Sequence, residues 1–188
     1  MNKEEDSLLE YLFLDNALRQ ENESFIQSLI ELNKFAQNIS ATLNFQLLLD
    51  LIIDLTIKIM KVEKAFLMLY SENTSDLWLK SAINLESETE DLEAFNIIFS
   101  KKILPLVKEQ ISIVNNQVKL IELKTFKNLI ISTLAQKDKI IGYICVVNKK
   151  VGVFDDKDKY FLETIAKQSS IAINNSYVYE KLRTESDV

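Results

Sequence analysis

The 188-residue chain contains no histidine, one cysteine (Cys145), one proline (Pro105) and two glycines (Gly142 and Gly152). Without histidine, neither the Ser-His-Asp nor the Cys-His nucleophilic arrangement can be built, and His-ligated zinc and proximal-His haem are excluded as well. The side chain that ordinarily changes charge near neutral pH is also missing. One cysteine forms no intramolecular disulfide and runs no CxxC redox cycle, which points to a reducing, cytoplasmic setting. Two glycines leave no room for a GxGxxG or P-loop phosphate cradle. No hydrophobic run approaches the roughly 18–20 residues a bilayer crossing needs. The opening Met1-Asn2-Lys3-Glu4-Glu5-Asp6 is acidic and polar, unlike a secretory signal. The expectation is a soluble protein with no membrane partner.

Positive charge is scarce too, with a formal net charge of −6. The basic stretches Lys101-Lys102, Lys124 to Lys127 and Lys149-Lys150 are short and separated. A phosphate backbone needs a continuous Lys/Arg surface, so no nucleic-acid partner is expected. A hydrophobic content of 47% over this length suits one domain with accessory helices.

Residues 5–39 lack glycine and proline and show helical periodicity. Leu18, Asn22, Phe25, Leu29, Leu32, Ala36 and Ile39 alternate at spacings of four and three, an a/d seam. The seam continues weakly upstream through Leu8, Tyr11 and Asp15. A continuous helix of this length spans roughly 50 Å. A domain of the remaining size has a radius of gyration of roughly 15 Å. The overhang predicts a partner helix, and residues 1–40 are assigned as a coiled-coil dimerisation segment.

Ser40 and Thr42 resemble a capped turn. A core-facing helix follows from about Asn44 to Lys61, with Leu47, Leu48, Leu51, Ile52, Leu55 and Ile59 at helical spacing. Lys64 to Tyr70 reads as an internal strand, and Asp76 to Asn84 as its hairpin partner across the polar turn Ser71 to Ser75. Residues 88–109 carry one or two short helices interrupted near Pro105. Ile111 to Val114 is a short strand followed by an Asn115-Asn116 turn, and Val118 to Lys127 fits a helical turn. Leu129 to Ala135 and Ile140 to Val147 form a second hairpin. A final helix runs over 155–184, with Asp155 and Asp158 at capping-box spacing. On it Leu162, Ile165, Ser169, Ala172, Ser176 and Tyr179 make a second seam. A polar tail of 185–188 closes the chain. Hairpins flanked by long helices predict an α+β fold with terminal helices on one sheet face. The segment 86–127 then covers the other face, and a cavity would lie beneath it.

Three stretches resemble GAF domains. Ile140 to Lys149 is similar to the glycine-bearing strand of their sheet, and Gly152-Val153-Phe154-Asp155-Asp156-Lys157-Asp158 is similar to the turn into their last helix. Ile165 to Ser176 resembles the Ala-x-Gln-x-x-x-Ala-Ile-x-Asn pattern of that helix. The resemblance spans roughly residues 40–180 and is looser at the front, where Leu47 to Tyr70 matches helix and first strand. It implies a PAS-related central antiparallel sheet of about five to six strands, in domain 41–184. It also implies a non-catalytic signalling role as a homodimer. In such a module a small molecule or partner shifts the terminal helices, and an effector such as a kinase, cyclase or phosphodiesterase reads the shift. A ligand-free adaptor for a kinase or nucleotide cyclase is the alternative.

Asn148, Lys149, Phe154 and Asp158 match the Asn-Lys…Phe-x-x-x-Asp-Glu signature of cyclic-nucleotide-binding GAF domains, except that Lys159 replaces the final Glu. The match admits a cyclic nucleotide as ligand. A Lys149–Asp158 ion pair tying strand end to helix start is the structural reading of the same residues. The Cys-His pair of bilin-binding GAF domains is missing, so neither bilin nor haem is expected. Free-methionine-sulfoxide-reducing GAF enzymes use several cysteines, and Cys145, in an apolar strand, reads as an inert thiol. The run Glu86, Glu88, Glu90, Asp91, Glu93 reads as a solvated helix start rather than a metal site. Trp78 and Phe99 are the candidates to line a pocket.

Overall fold

A computed structural model describes residues 3–71, 74–86, 89–107, 111–114, 123 and 125–186. The order is α1 (Lys3–Ser40), α2 (Phe45–Met60), β1 (Val62–Tyr70), β2 (Leu77–Ile83) and α3 (Leu92–Ile98). A π-helical turn, Phe99–Ile103, and a 3-10 turn, Leu104–Leu106, continue α3. Then come β3 (Ile111–Val114), β4 (Leu129–Gln136), β5 (Lys139–Lys149) and α4 (Asp156–Ser186). Among the described residues every strand pairing is antiparallel, in one five-stranded sheet ordered β2-β1-β5-β4-β3. The expected turns at Asn115-Asn116 and within 118–122 lie outside the described residues.

Two compact units divide the chain, Met1–Lys34 and Phe35–Val188, with the boundary inside α1. In the first unit Tyr11, Phe13, Leu18, Ile26 and Ile30 are exposed. Of the first seam, Leu18 and Asn22 are exposed, and Phe25, Leu29 and Ala36 are partly buried. Leu32 is buried already in the single chain, as is Ile39 at 1% exposed. The Leu8 side chain lies outside the described residues.

Within the second unit, α2 and α4 pack on the sheet and on each other. Asn44, not Ser40 or Thr42, caps α2: its side chain accepts from the Leu47 N–H at 2.9 Å. Ser40 is instead the last residue of α1 and donates back to the Ala36 carbonyl. The buried stripe of α2 is Leu48, Leu49, Ile52, Ile53, Thr56, Ile59 and Met60, so Leu47 faces out. The stripe is turned from the expected one because the helix must meet both β1 and α4. Lys61 ends α2 in the left-handed region at φ 52°.

The second seam is a correction. Leu162, Ile165, Ser169, Ala172 and Ser176 are buried inside their own domain against α2 and the sheet, so Leu162, Ile165 and Ala172 are unavailable to a second copy. The same three-and-four spacing serves any helix that buries one face, and here the domain itself covers that face. Tyr179 alone of that set is exposed, at 46%. A different stripe of α4 is open, carrying Ile171, Val178 and Leu182.

Gly142 pairs with Leu69 and Leu134 in mid-sheet, and a Cβ there would collide with the Met68 carbonyl oxygen. In β2, Lys80 is an extra residue opposite the Leu67/Met68 step. This bulge leaves Ser81 facing α2, where its hydroxyl donates to Asp50, and turns Leu79 to the opposite face.

Candidate functional site

Among the described residues, polar groups meet in the interior beneath α3 and at a junction where β1 begins and β5 ends.

The layer beneath α3 is aromatic. Phe66 of β1 meets Phe95 and Phe99 edge-on, with centroids 5.5 and 5.7 Å apart, and Phe126 at 6.2 Å. Phe99 also lies 6.1 Å from Tyr143. Such offset and edge contacts add to the burial of the rings. The Tyr143 hydroxyl lies 3.4 Å from that of Tyr70. Burial, reinforced by that hydrogen bond, pushes the Tyr143 phenol well above its ordinary pKa. Phe99 is thus fully buried and fills the space beneath the lid. Trp78 is a correction: it pairs with Leu69, faces the α2 side of the sheet and is 40% exposed. The bulge at Lys80 keeps alternation from being read straight through β2. The β4–α4 side carries a cleft of about 80 Å³, lined by Ser132, Thr133, Ala135, Glu163, Lys167 and Ser170.

Asn96, which the sequence reading passed over, is buried on α3 and meets edge strand β2. Its Oδ1 accepts from the Leu79 N–H at 3.1 Å. Its Nδ2 has no partner among the described residues. The signal was present in the sequence: one amide between Phe95 and Ile97 in an otherwise apolar run.

The junction is saturated with bonds. Asn148, in the left-handed region at φ 59°, accepts through Oδ1 from the Lys127 N–H at 2.8 Å. Its Nδ2 donates to Glu63 Oε2 and to the Thr125 carbonyl, each at 2.8 Å. Asn128 mirrors it, accepting through Oδ1 from the Lys149 N–H and through its carbonyl from the Asn148 N–H. Lys149 Nζ donates to Asp158 and to the Val153 carbonyl. Asp155 and Asp158 form a reciprocal cap at the start of α4: the Asp155 N–H donates to Asp158 Oδ2, and the Asp158 N–H to Asp155 Oδ1. Phe154 is buried between strand end and helix start. Burial pushes the Asp158 carboxyl above the usual carboxylate range, against the pull of Lys149 and of the Asp155 N–H. Burial acts the same way on Asp155, but the N–H of Asp158 and the charge of Lys149 outweigh it and hold that carboxyl lower. Asn148, Lys149, Phe154 and Asp158 therefore come together: Lys149, Phe154 and Asp158 join strand end to helix start, and Asn148 ties the strand end to β1 and to the loop at Thr125 and Lys127. Asn128, Glu63 and Thr125, which complete the junction, had no signal in the local sequence.

Cys145 is fully buried in β5, and burial pushes its thiol well above the ordinary value. No group of three or more carboxylate, histidine or cysteine side chains is placed to hold a metal among the described residues. No helix of the described residues is long and apolar enough to cross a membrane.

The architecture is shared by solved structures. The GAF domain of an Acinetobacter phosphoenolpyruvate-protein phosphotransferase superposes with a TM-score of 0.67 at 20% identity, over 81% of this chain and 95% of that one. The chain has the GAF fold. Free methionine-R-sulfoxide reductase from Neisseria meningitidis shares this GAF architecture, with a TM-score of 0.62 at 12% identity, over 81% of this chain and 93% of that one. Residues 122 to 287 of a methyl-accepting chemotaxis protein match at 0.58 and 15%, over 77% of this chain and 98% of that one. No protein-family model matches the sequence, and no curated protein does. The five strands lie within the five to six expected of the GAF sheet.

Proposed function

We propose that the protein is a non-catalytic GAF-type signalling module. A small molecule or partner engages the layer beneath α3, and the terminal helices of a homodimer carry the change to an effector such as a kinase, cyclase or phosphodiesterase. The observation that supports this most is a bonded route from lid side to output helix. Leu123 and Phe126 belong to the aromatic layer. The loop they sit on is held by Asn148 through Thr125 and Lys127. Asn148 is followed directly by Lys149, which grips the first turn of α4 through Asp158. A displaced Phe126 would move that loop, and the loop is bonded to the helix start. Such a device works by shifting populations between two packings.

For the dimer, the exposed Ile171, Val178, Tyr179 and Leu182 of α4 offer an apolar surface, and Leu18, Ile26 and Ile30 of α1 another. The phosphotransferase and chemotaxis proteins that share the fold are in keeping with a signalling role. The cyclic-nucleotide signature carries little weight here, because its residues are occupied in the junction. A redox activity like that of the sulfoxide reductase lacks a second thiol, and Cys145 is sealed. A cytoplasmic setting without nucleic-acid or membrane partners fits the acidic charge.

A ligand-free adaptor is the second reading, and the filled layer around Phe99 favours it. Native mass spectrometry of gently purified protein separates the two: a retained small-molecule mass is expected of the sensor, and bare polypeptide of the adaptor. Sedimentation at tens of micromolar tests the dimer. A single subunit at that concentration removes both readings, and Val178→Lys should weaken a real dimer.

A further inference from the structure

β2 is one of the two edges of the sheet, and its outer backbone groups form a template on which another strand can grow. The edges of two identical chains suit each other, because a two-fold axis sets them antiparallel and each supplies what its twin lacks. The opposite edge, β3, is only four residues long. β2 runs over seven, and opens with Leu77, Trp78 and Leu79. Trp78 is 40% exposed there, an apolar ring beside edge backbone. By its residues this is the edge suited to pair with another copy.

Three features of the fold oppose that pairing. The bulge at Lys80 breaks the register of the edge, and Lys80 itself is exposed and charged. The third feature is Asn96. Leu79 stands opposite Met68 in the ladder, and its N–H donates to Asn96 Oδ1 at 3.1 Å. The amide orientation is fixed by chemistry: a backbone N–H only donates, so the atom facing it is the oxygen. That oxygen stands where the carbonyl of one more strand would. The amide nitrogen has no partner among the described residues, a penalty that an apolar side chain would avoid. Asn96 is thus placed for what its oxygen does at the edge. It is 7% exposed and lies on α3, which packs on β2.

We infer that Asn96 closes the outer edge of β2 to strand addition, and that the partner it excludes is the same edge of a second copy of this chain. Self-association is thereby left to other surfaces. This goes beyond the signalling reading and does not depend on it.

The test compares wild type with Asn96→Leu. Amide exchange is followed by NMR on the isotopically labelled full chain, and sedimentation and tryptophan emission over a concentration series. Trp78 is the single tryptophan of the chain, so its emission reports on this edge. In Asn96→Leu the Leu79 amide should exchange about tenfold faster at low concentration, through loss of its hydrogen bond. At tens of micromolar the variant should form a species larger than wild type, with Trp78 emission moved to shorter wavelength. The position is nearly sealed, so the leucine adds little apolar surface of its own. Adding Trp78→Lys should return the variant to wild-type size while the Leu79 amide stays fast. An unchanged Leu79 exchange rate overturns the cap. Fast exchange with no larger species overturns the second copy as the excluded partner, and so does a larger species that persists with Trp78→Lys. Should Asn96→Leu not fold, Asn96→Ala removes the same acceptor and is read in the same way. A wild-type Leu79 amide that exchanges as fast as one in an unfolded peptide overturns the cap without any variant.

Discussion

Asn148 and Asn96 are both buried, at 3% and 7% exposed, and both receive a backbone N–H on their amide oxygen. They differ at the nitrogen. Asn148 Nδ2 donates twice, to Glu63 and Thr125, while Asn96 Nδ2 donates to nothing among the described residues. A satisfied buried network rigidifies its surroundings, whereas an unpaired buried donor carries a cost. The junction is therefore held by a dense set of polar bonds, and the layer beneath α3 mainly by apolar contacts. This matches where each sits, one joining β5 to the start of α4 and the other beneath a π-helical turn.

Four substitutions test that contrast. Phe99→Ala should have the largest effect, about 3–5 kcal/mol by chemical denaturation, because it empties the middle of the lid layer. A loss under about 1 kcal/mol would mean that the lid collapses freely. Asn148→Leu follows at about 3 kcal/mol. It removes the bonds to Glu63, to the Thr125 carbonyl and from the Lys127 N–H, and puts a branched side chain at φ 59°.

Lys149→Met should cost about 2 kcal/mol near neutral pH by stranding the part-buried Asp158 carboxylate. Here the pH dependence gives a sharper reading. The folded pKa of Asp158 lies above its unfolded value, and removing the lysine raises it further. A carboxyl shifted in that direction stabilises the fold at low pH and loses the contribution as pH rises through the folded pKa. The variant should therefore approach wild-type stability near pH 4 and fall away toward pH 7, in parallel denaturation curves. A deficit independent of pH would assign the loss to packing of the lysine stem.

Asn96→Leu should have the smallest effect, within about 1 kcal/mol, because the Leu79 bond lost is offset by removal of an unpaired donor. If it costs as much as Asn148→Leu, the two asparagines are equivalent and the contrast is gone.

Much of this was legible in the linear sequence. The two hairpins followed from alternation and turn residues, the Asp155 and Asp158 cap from its spacing, and the Lys149–Asp158 pair from the resemblance to the GAF signature. What failed did so where a local pattern serves two environments equally. The α4 stripe of Leu162, Ile165 and Ala172 has the spacing of a dimer seam and of a core face, and only the position of α2 decides between them. Trp78 lies opposite Leu77 and Leu79, as alternation has it, but only the position of α2 decides that its face is not the one beneath α3; the extra residue Lys80 moves Ser81 to Ile83, which follow it, across the sheet.

The sequence by itself determined which elements form and what chemistry is out of reach, because helix period, strand alternation and the absence of histidine are properties of the chain alone. Tertiary structure alone decided which stripes are buried, that Phe99 fills the lid layer, and that Asn148 is saturated while Asn96 is not. Burial and hydrogen-bond satisfaction depend on groups such as Glu63 and Leu79, which lie 85 and 17 residues away along the chain and meet these asparagines only when the sheet closes.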